Sequence, residues 1–237
     1  MINITGQNEL FNLLGAKLDE KAECLAIGGS AMMFYGAKTE TKDVDLVFLN
    51  KKPFELVKIA LYEIGFNEKK NVKIIFPHYE IAKNKPIMME GRDTRFNLFL
   101  NEVISLKISD SILSRVKETH EFGNLIIKII SPEDIIMLKC ATEREKDRDD
   151  AASLIEKFNI DWNVIMKESV HQTEIGDYIF PVYLFDFLYE LKNDFKIEIP
   201  EDVIRKTMKI GEKMMEERIK TGDIVKVEDF TKKKKIK

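Results

Sequence analysis

Apolar residues recur at helical spacing over residues 7 to 19, where Leu10, Leu13, Leu14 and Leu18 form one stripe, so the chain is expected to open with a helix. The period then changes. Leu25-Ala26-Ile27 reads as a strand, Gly28-Gly29 as a tight turn and Ser30 onward as a helix start, and a second strand follows through Val44 and Leu46-Val47-Phe48. Pro53 opens a helix with Leu56, Val57, Ala60, Leu61 and Ile64 on one face, stopped by Gly65. From 72 to 130 the pattern is strand-like, with strands expected at Val72 to Phe76, Ile87 to Met89, Phe96 to Leu100, Ile104 to Ile108 and Leu125 to Ile130. Short strands with polar breaks, interleaved with the earlier helices, point to a mixed sheet.

Ser131-Pro132-Glu133-Asp134 has the chemistry of a helix start: a serine N-cap, proline at the first helical position and two acids in the first turn. Everything beyond it reads as helix, ending in a long one on which Ile204, Met208, Gly211, Met215 and Ile219 share a face. The fold class is therefore α+β, with residues 1–130 as an α/β domain, 131–224 as a C-terminal helical region and 225–237 as a basic tail. Phe180, Tyr183, Phe185, Phe187 and Tyr189 crowd one stretch. Core packing is their expected use, and base stacking or a homodimer face the alternatives. Lys232 to Lys235 read as a solvated terminus, with nucleic-acid contact as the alternative.

A chain of 237 residues that is 44% apolar can bury one good-sized core or two small ones. Its 38 basic and 41 acidic residues leave a net charge of -3, so any polyanion site has to be local. Cys24 and Cys140 stand far apart without a CxxC pair and are expected to be buried free thiols, while His78, His120 and His171 are isolated and give zinc no support. No basic-then-apolar leader pattern opens the chain and no apolar run is long enough to span a membrane, so a cytoplasmic location is expected.

The chemistry concentrates in Ile27-Gly28-Gly29-Ser30 and Asp43-Val44-Asp45. Carboxylates one residue apart on a strand lie on the same face, where they repel unless a cation neutralises them, and closely spaced oxygen ligands suit Mg2+. A turn leading into a helix offers backbone N-H groups to phosphate oxygens, and Ser30 could add a hydroxyl.

These residues resemble the signature of the nucleotidyltransferase (DNA polymerase beta-like) superfamily, in its minimal and AbiEii-toxin-like branch. Thr41-Lys42-Asp43-Val44-Asp45-Leu46 is similar to that branch's Thr-x-Asp-hydrophobic-Asp-Leu, and Ser131-Pro132-Glu133-Asp134 with Lys139 and Lys146-Asp147-Arg148-Asp149-Asp150 to its later Pro-Glu-Asp, Lys and Lys-Asp-x-x-Asp segment. The resemblance covers residues 20 to 158 and implies a nucleotidyltransferase fold. It also implies Mg2+ (or Mn2+) at Asp43 and Asp45, and a nucleoside triphosphate held by Gly28, Gly29 and Ser30 with Lys139, Lys146 and Asp150. A third catalytic carboxylate is expected on a later strand; in Arg95-Phe96-Asn97-Leu98-Phe99 its place is taken by Asn97, with Asp93 or Glu90 as substitutes in a shifted register.

Lys139 falls on the side of its helix that carries Ile135 and Ile136, so it either snorkels or meets an anion. Asp147 and Asp150 extend the face of Ala151, Leu154 and Phe158, and would either bind a base or ribose or cap the helix and pair with Lys146. The implied reaction moves a nucleoside monophosphate to an acceptor hydroxyl, on a tRNA end or on a protein as in toxins of toxin-antitoxin pairs. Two rivals stand beside it: a catalytically degenerate, nucleotide-binding regulatory protein, for which Asn97 speaks, and a structural nucleic-acid-binding protein.

Overall fold

The computed structural model describes residues 1–69, 85–142, 144–176 and 178–221. The chain begins with β1 (Ile2–Asn3) and α1 (Ile4–Lys17), whose N-cap Asn3 accepts a hydrogen bond from Gly6 N. Then follow β2 (Ala22–Ile27), α2 (Gly28–Phe34), β3 (Glu40–Thr41), β4 (Asp43–Phe48), α3 (Lys51–Glu63) and β5 (Asn67–Glu68). Beyond residue 85 come β6 (Ile87–Gly91), β7 (Thr94–Leu100), the hairpin β8 (Glu102–Val103) and β9 (Leu106–Lys107), α4 (Asp110–Ser114), β10 (Glu118–Phe122) and β11 (Leu125–Ile129). From Pro132 on, the described residues form only helices: α5 (Pro132–Cys140), α6 (Glu145–Lys157), α7 (Trp162–Ile175), α8 (Phe180–Asn193) and α9 (Glu201–Lys220).

Seven strands form one mixed sheet in the order β10-β11-β2-β4-β7-β6-β5. β2 pairs antiparallel with β4 and parallel with β11, and β4 pairs parallel with β7, so the centre of the sheet is made of strands distant in sequence. Side chains alternate across it. Val44, Leu46 and Phe48 of β4, with Phe96 and Leu98 of β7, are buried against helices. Phe54 of α3 meets Phe48 at 5.5 Å between ring centroids, and Phe11 of α1 meets Phe96 at 6.4 Å. The opposite face carries Asp43, Asp45, Arg95 and Asn97, and it holds the candidate site.

The two halves of the chain are joined by a buried polar network. Arg115 donates to Asp134 Oδ1 at 2.6 Å on α5 and to Glu168 Oε2 at 2.7 Å on α7. Ser109 and Ser111 of the α4 start donate to the same glutamate, and Ser131, the α5 N-cap, donates to Asp134 at 2.7 Å. Of the aromatics expected in the core, α8 buries Phe180 and Phe187 beside Leu184 and Leu188, half-buries Tyr183 and Phe185, and leaves Tyr189 exposed. Cys24 and Cys140 are free and buried, and burial pushes the Cys140 thiol up to about 12. Among the described residues no helix is long and apolar enough to cross a membrane.

Several boundaries differ from the sequence reading. α2 begins at Gly28, two residues early, because Gly28 turns the chain by itself with φ +55°. The strand expected over Ile104 to Ile108 is broken by the β8–β9 turn, with Ile104 at φ +62°, a conformation that costs a β-branched residue energy and is sustained here by surrounding packing. β10 and α4 lack strong apolar periodicity and are additions of the tertiary structure. The expected strand Val72 to Phe76 and the tail with Lys232 to Lys235 lie outside the described residues.

Candidate active site

The β4–β7 register decides what faces what. Asp43 stands opposite Arg95 and Asp45 opposite Asn97. On the next strand Glu90 stands opposite Arg95 and Met88 opposite Asn97, so two rows cross the sheet: Asp43, Arg95, Glu90 and Asp45, Asn97, Met88. Asn97 is thus the side chain beside Asp45. Asp93 instead occupies the two-residue β6–β7 turn at φ +58°, and Glu90 is ion-paired to Lys69 at 2.6 Å, so neither substitutes for it.

The two aspartates do not face each other unneutralised. An Arg95 guanidinium nitrogen lies 2.7 Å from Asp43 Oδ1, and Asn97 Nδ2 donates to Asp45 Oδ1 at 2.7 Å. This corrects the expectation that only a bound cation could relieve their repulsion, because β7 supplies a guanidinium in register. Relief is incomplete. Burial raises the Asp45 pKa, the Asn97 amide, Lys139 and Arg144 lower it, and the Asp43 charge raises it again; the outcome is upward. Asp43 Oδ1, lacking an aligned hydrogen bond, and Asn97 Oδ1 are buried oxygens with no hydrogen-bond partner, and Arg95 Nε is also without one. Buried acceptors left open are costly.

The glycines come close to this row. Ile27 pairs with Asp45 across β2 and β4, which puts Asp45 Oδ2 2.9 Å from the point where a Gly28 Cβ would stand. A Cβ on Gly29 would lie 2.6 Å from Thr41 Oγ1, so a larger residue fits at neither position. α2 has only seven residues, so its start offers individual N-H groups rather than a long helix dipole. Ser30 is turned away: fully buried, its hydroxyl donates to Gln7 Oε1 of α1 at 2.7 Å, a commitment that sequence spacing could not reveal.

On the helical side, Lys139 of α5 meets anions rather than snorkelling, and the anions are carboxylates of the chain itself. Its ammonium binds Asp147 Oδ1 and Asp150 Oδ2 of α6, each at 2.6 Å, while Asp150 Oδ1 accepts from Lys38. Asp147 and Asp150 therefore pair with Lys139 and Lys38, correcting the expected pairing with Lys146, which is exposed. Against the upward push of burial, the Lys139 charge and the Arg144 hydrogen bond hold Asp147 down to about 2. Lys38, from the loop between α2 and β3, and Arg144, just before α6, were missed because no motif or periodicity marks a lone basic residue there; Arg95 was missed because its place beside Asp43 depends on the β4–β7 register.

As a donor set, Asp43, Asp45 and the Asn97 carbonyl oxygen suit a hard divalent cation, with the Asn97 oxygen open and Asp43 Oδ1 held by the Arg95 guanidinium. Among the described residues no group of three His, Cys, Asp or Glu could hold a metal ion. A cation held by this set would have an amide as its third ligand, a weaker donor without charge.

A mixed sheet whose Gly-Gly strand end abuts an Asp-Val-Asp strand, backed by C-terminal helices, defines a protein of the nucleotidyltransferase class. The chain belongs to the family described as nucleotidyl transferase of unknown function (DUF2204), whose model matches residues 8–221. No curated protein matches its sequence. Similar solved structures include an antigenic nucleotidyltransferase-like protein from Paracoccidioides brasiliensis, at 16% identity and TM-score 0.45, covering 86% of this chain and 98% of that one. Another is JHP933 from Helicobacter pylori, at 16% identity and TM-score 0.36, covering 92% and 93%.

Proposed function

We propose that the protein binds a nucleoside triphosphate with Mg2+ or Mn2+ at Asp43, Asp45 and Asn97 and transfers its nucleoside monophosphate to an acceptor hydroxyl. The observation that carries this reading is the Asp45–Asn97 row laid against Gly28, with the buried Asn97 Oδ1 open and Asp43 beside it in an ion pair with Arg95. Phosphate oxygens would meet the N-H groups at Gly28 and Gly29, where no side chain intervenes, and the ammoniums of Lys139 and Lys146. Asp150 would orient Lys139, and Ser30 would act through the α1–α2 contact that fixes the turn. The cation would neutralise the carboxylates and polarise the phosphate under attack. The acceptor oxygen bonds to the α-phosphorus while its hydroxyl proton passes to solvent, the bond from the α-phosphorus to the β-phosphate oxygen breaks, and pyrophosphate leaves with that electron pair. An RNA end and a protein hydroxyl are both suitable acceptors, the protein case being the one a toxin of a toxin-antitoxin pair would use.

Asn97 also favours a second reading, a nucleotide-binding regulatory protein without turnover. An amide can hold a cation but cannot take the acceptor's proton.

Thermal unfolding tests the shared part of both readings. Mg2+ or Mn2+ with a nucleoside triphosphate should raise Tm by linkage, by about 2.7 kcal/mol of stability at a hundredfold excess over Kd, and the Asp43→Asn/Asp45→Asn double variant should lose that increment. An unchanged increment in the double variant places the ligand elsewhere. Incubation with labelled nucleotides, Mg2+ and total RNA or protein then separates the enzyme from the regulatory module.

A further inference from the structure

Lys38 has no role in the reading above, yet its placement is unusual for a loop lysine. Its side chain is only 13% exposed and runs over the Gly-Gly strand end, with Cδ 3.4 Å from the position of a Gly29 Cβ. It ends on Asp150, whose other oxygen holds Lys139, which in turn holds Asp147. The result is a chain of alternating charges, Lys38, Asp150, Lys139, Asp147, running from the strand end into the helices. Burying such ions adds little stability over apolar packing of the same volume. Burial lowers the Lys38 pKa, Asp150 opposes this, and the like charges of Lys139 and Lys146 lower it further.

The two buried lysines are held unequally. Lys139 is 8% exposed and gripped by two carboxylates, so losing one leaves it paired. Lys38 is paired to Asp150 and is the more exposed of the two, so it is the cation that leaves at least cost. Resting on the nucleotide-binding reading, we propose that Lys38 is a further polyphosphate-binding cation of this site, parked on Asp150 in the free protein and transferred to the phosphate tail when nucleotide binds. Lys139 stays with Asp147 and Asp150 throughout. The arrangement makes the site selective for nucleoside polyphosphates over monophosphates, because only a tail of several charges outweighs the Asp150 pairing that is given up.

Calorimetric titration of the full chain tests this, using whichever of the four ribonucleoside triphosphates binds wild type most tightly, together with the monophosphate of the same nucleoside. Lys38→Met keeps the apolar stem over Gly29 and removes the charge; it should weaken triphosphate binding about tenfold while monophosphate binding changes less than about twofold. Lys38→Arg, which keeps the charge, should stay within about threefold of wild type for both. Should the Met variant not fold, Lys38→Gln takes its place with the same expectation. Equal loss for tri- and monophosphate, or no loss, overturns the role of Lys38 while leaving the nucleotide site standing. If wild type binds no triphosphate, the underlying reading fails instead.

Discussion

At the scale of single residues, the site turns on Asn97. Its amide is used on one side: Nδ2 donates to Asp45, and Oδ1 is buried without a hydrogen-bond partner. Asn97→Asp would place a third carboxylate in register with Asp45, which should lower Tm in the absence of divalent cations and restore it when they are added. Where transfer is limited by the missing proton acceptor, it should rise by about 10²–10⁴, the usual worth of general-base help. Parallel melting curves with and without Mg2+ and a labelled-nucleotide transfer assay check the two halves. A variant no less stable than wild type without cation would show that position 97 does not share the face of Asp45. Gly28 is legible at the same scale, since a glycine after a strand and before a helix announces a special φ, whereas the destination of the Ser30 hydroxyl is set by α1, twenty-three residues away.

At the scale of elements, Arg115 ties α4, α5 and α7 together through Asp134 and Glu168, both nearly inaccessible. Arg115→Leu would leave two buried carboxylates without their cation and should cost about 3–5 kcal/mol in denaturant unfolding, as breaking a buried ion pair does. A loss under 1 kcal/mol would mean that the serines and Gln172 satisfy the carboxylates alone. Ser131 as the α5 cap was readable from Ser-Pro-Glu-Asp because capping is local chemistry. The break at Ile104 and the edge strand β10 were not. A β-branched residue at positive φ and an ETHEF strand each violate local preference and hold only because partner strands and α7 surround them.

At the scale of the whole molecule, the Lys139–Asp147–Asp150 cluster seats α6 against α5 and couples their packing to pH. The sign follows from Asp147, whose folded pKa of about 2 lies below the ordinary 3.8. Its contribution, about 2 kcal/mol from the size of the shift, is fully present above about pH 4 and is lost as pH falls toward 2. Asp147→Asn should therefore be less stable than wild type at pH 6 and nearly equal to it at pH 2, by urea unfolding at both values. A difference that persists at pH 2 would mean that the aspartate acts through shape rather than charge.

The main helices and central strands, the Gly-Gly turn, the Ser131 cap and the Asp-Val-Asp pair follow from the sequence by itself, because each rests on period, backbone preference or chemistry within a few residues. The same locality let the sequence nominate Asp43, Asp45, Lys139 and Asp150 without showing what they touch. Only the tertiary structure decided that Arg95 and Asn97 stand beside the two aspartates, since that depends on the register of strands fifty residues apart. It alone decided that Lys38 and Lys139 share Asp150. Such pairings are settled by packing a sheet against helices from the far end of the chain, and no local pattern encodes the partner of a buried charge.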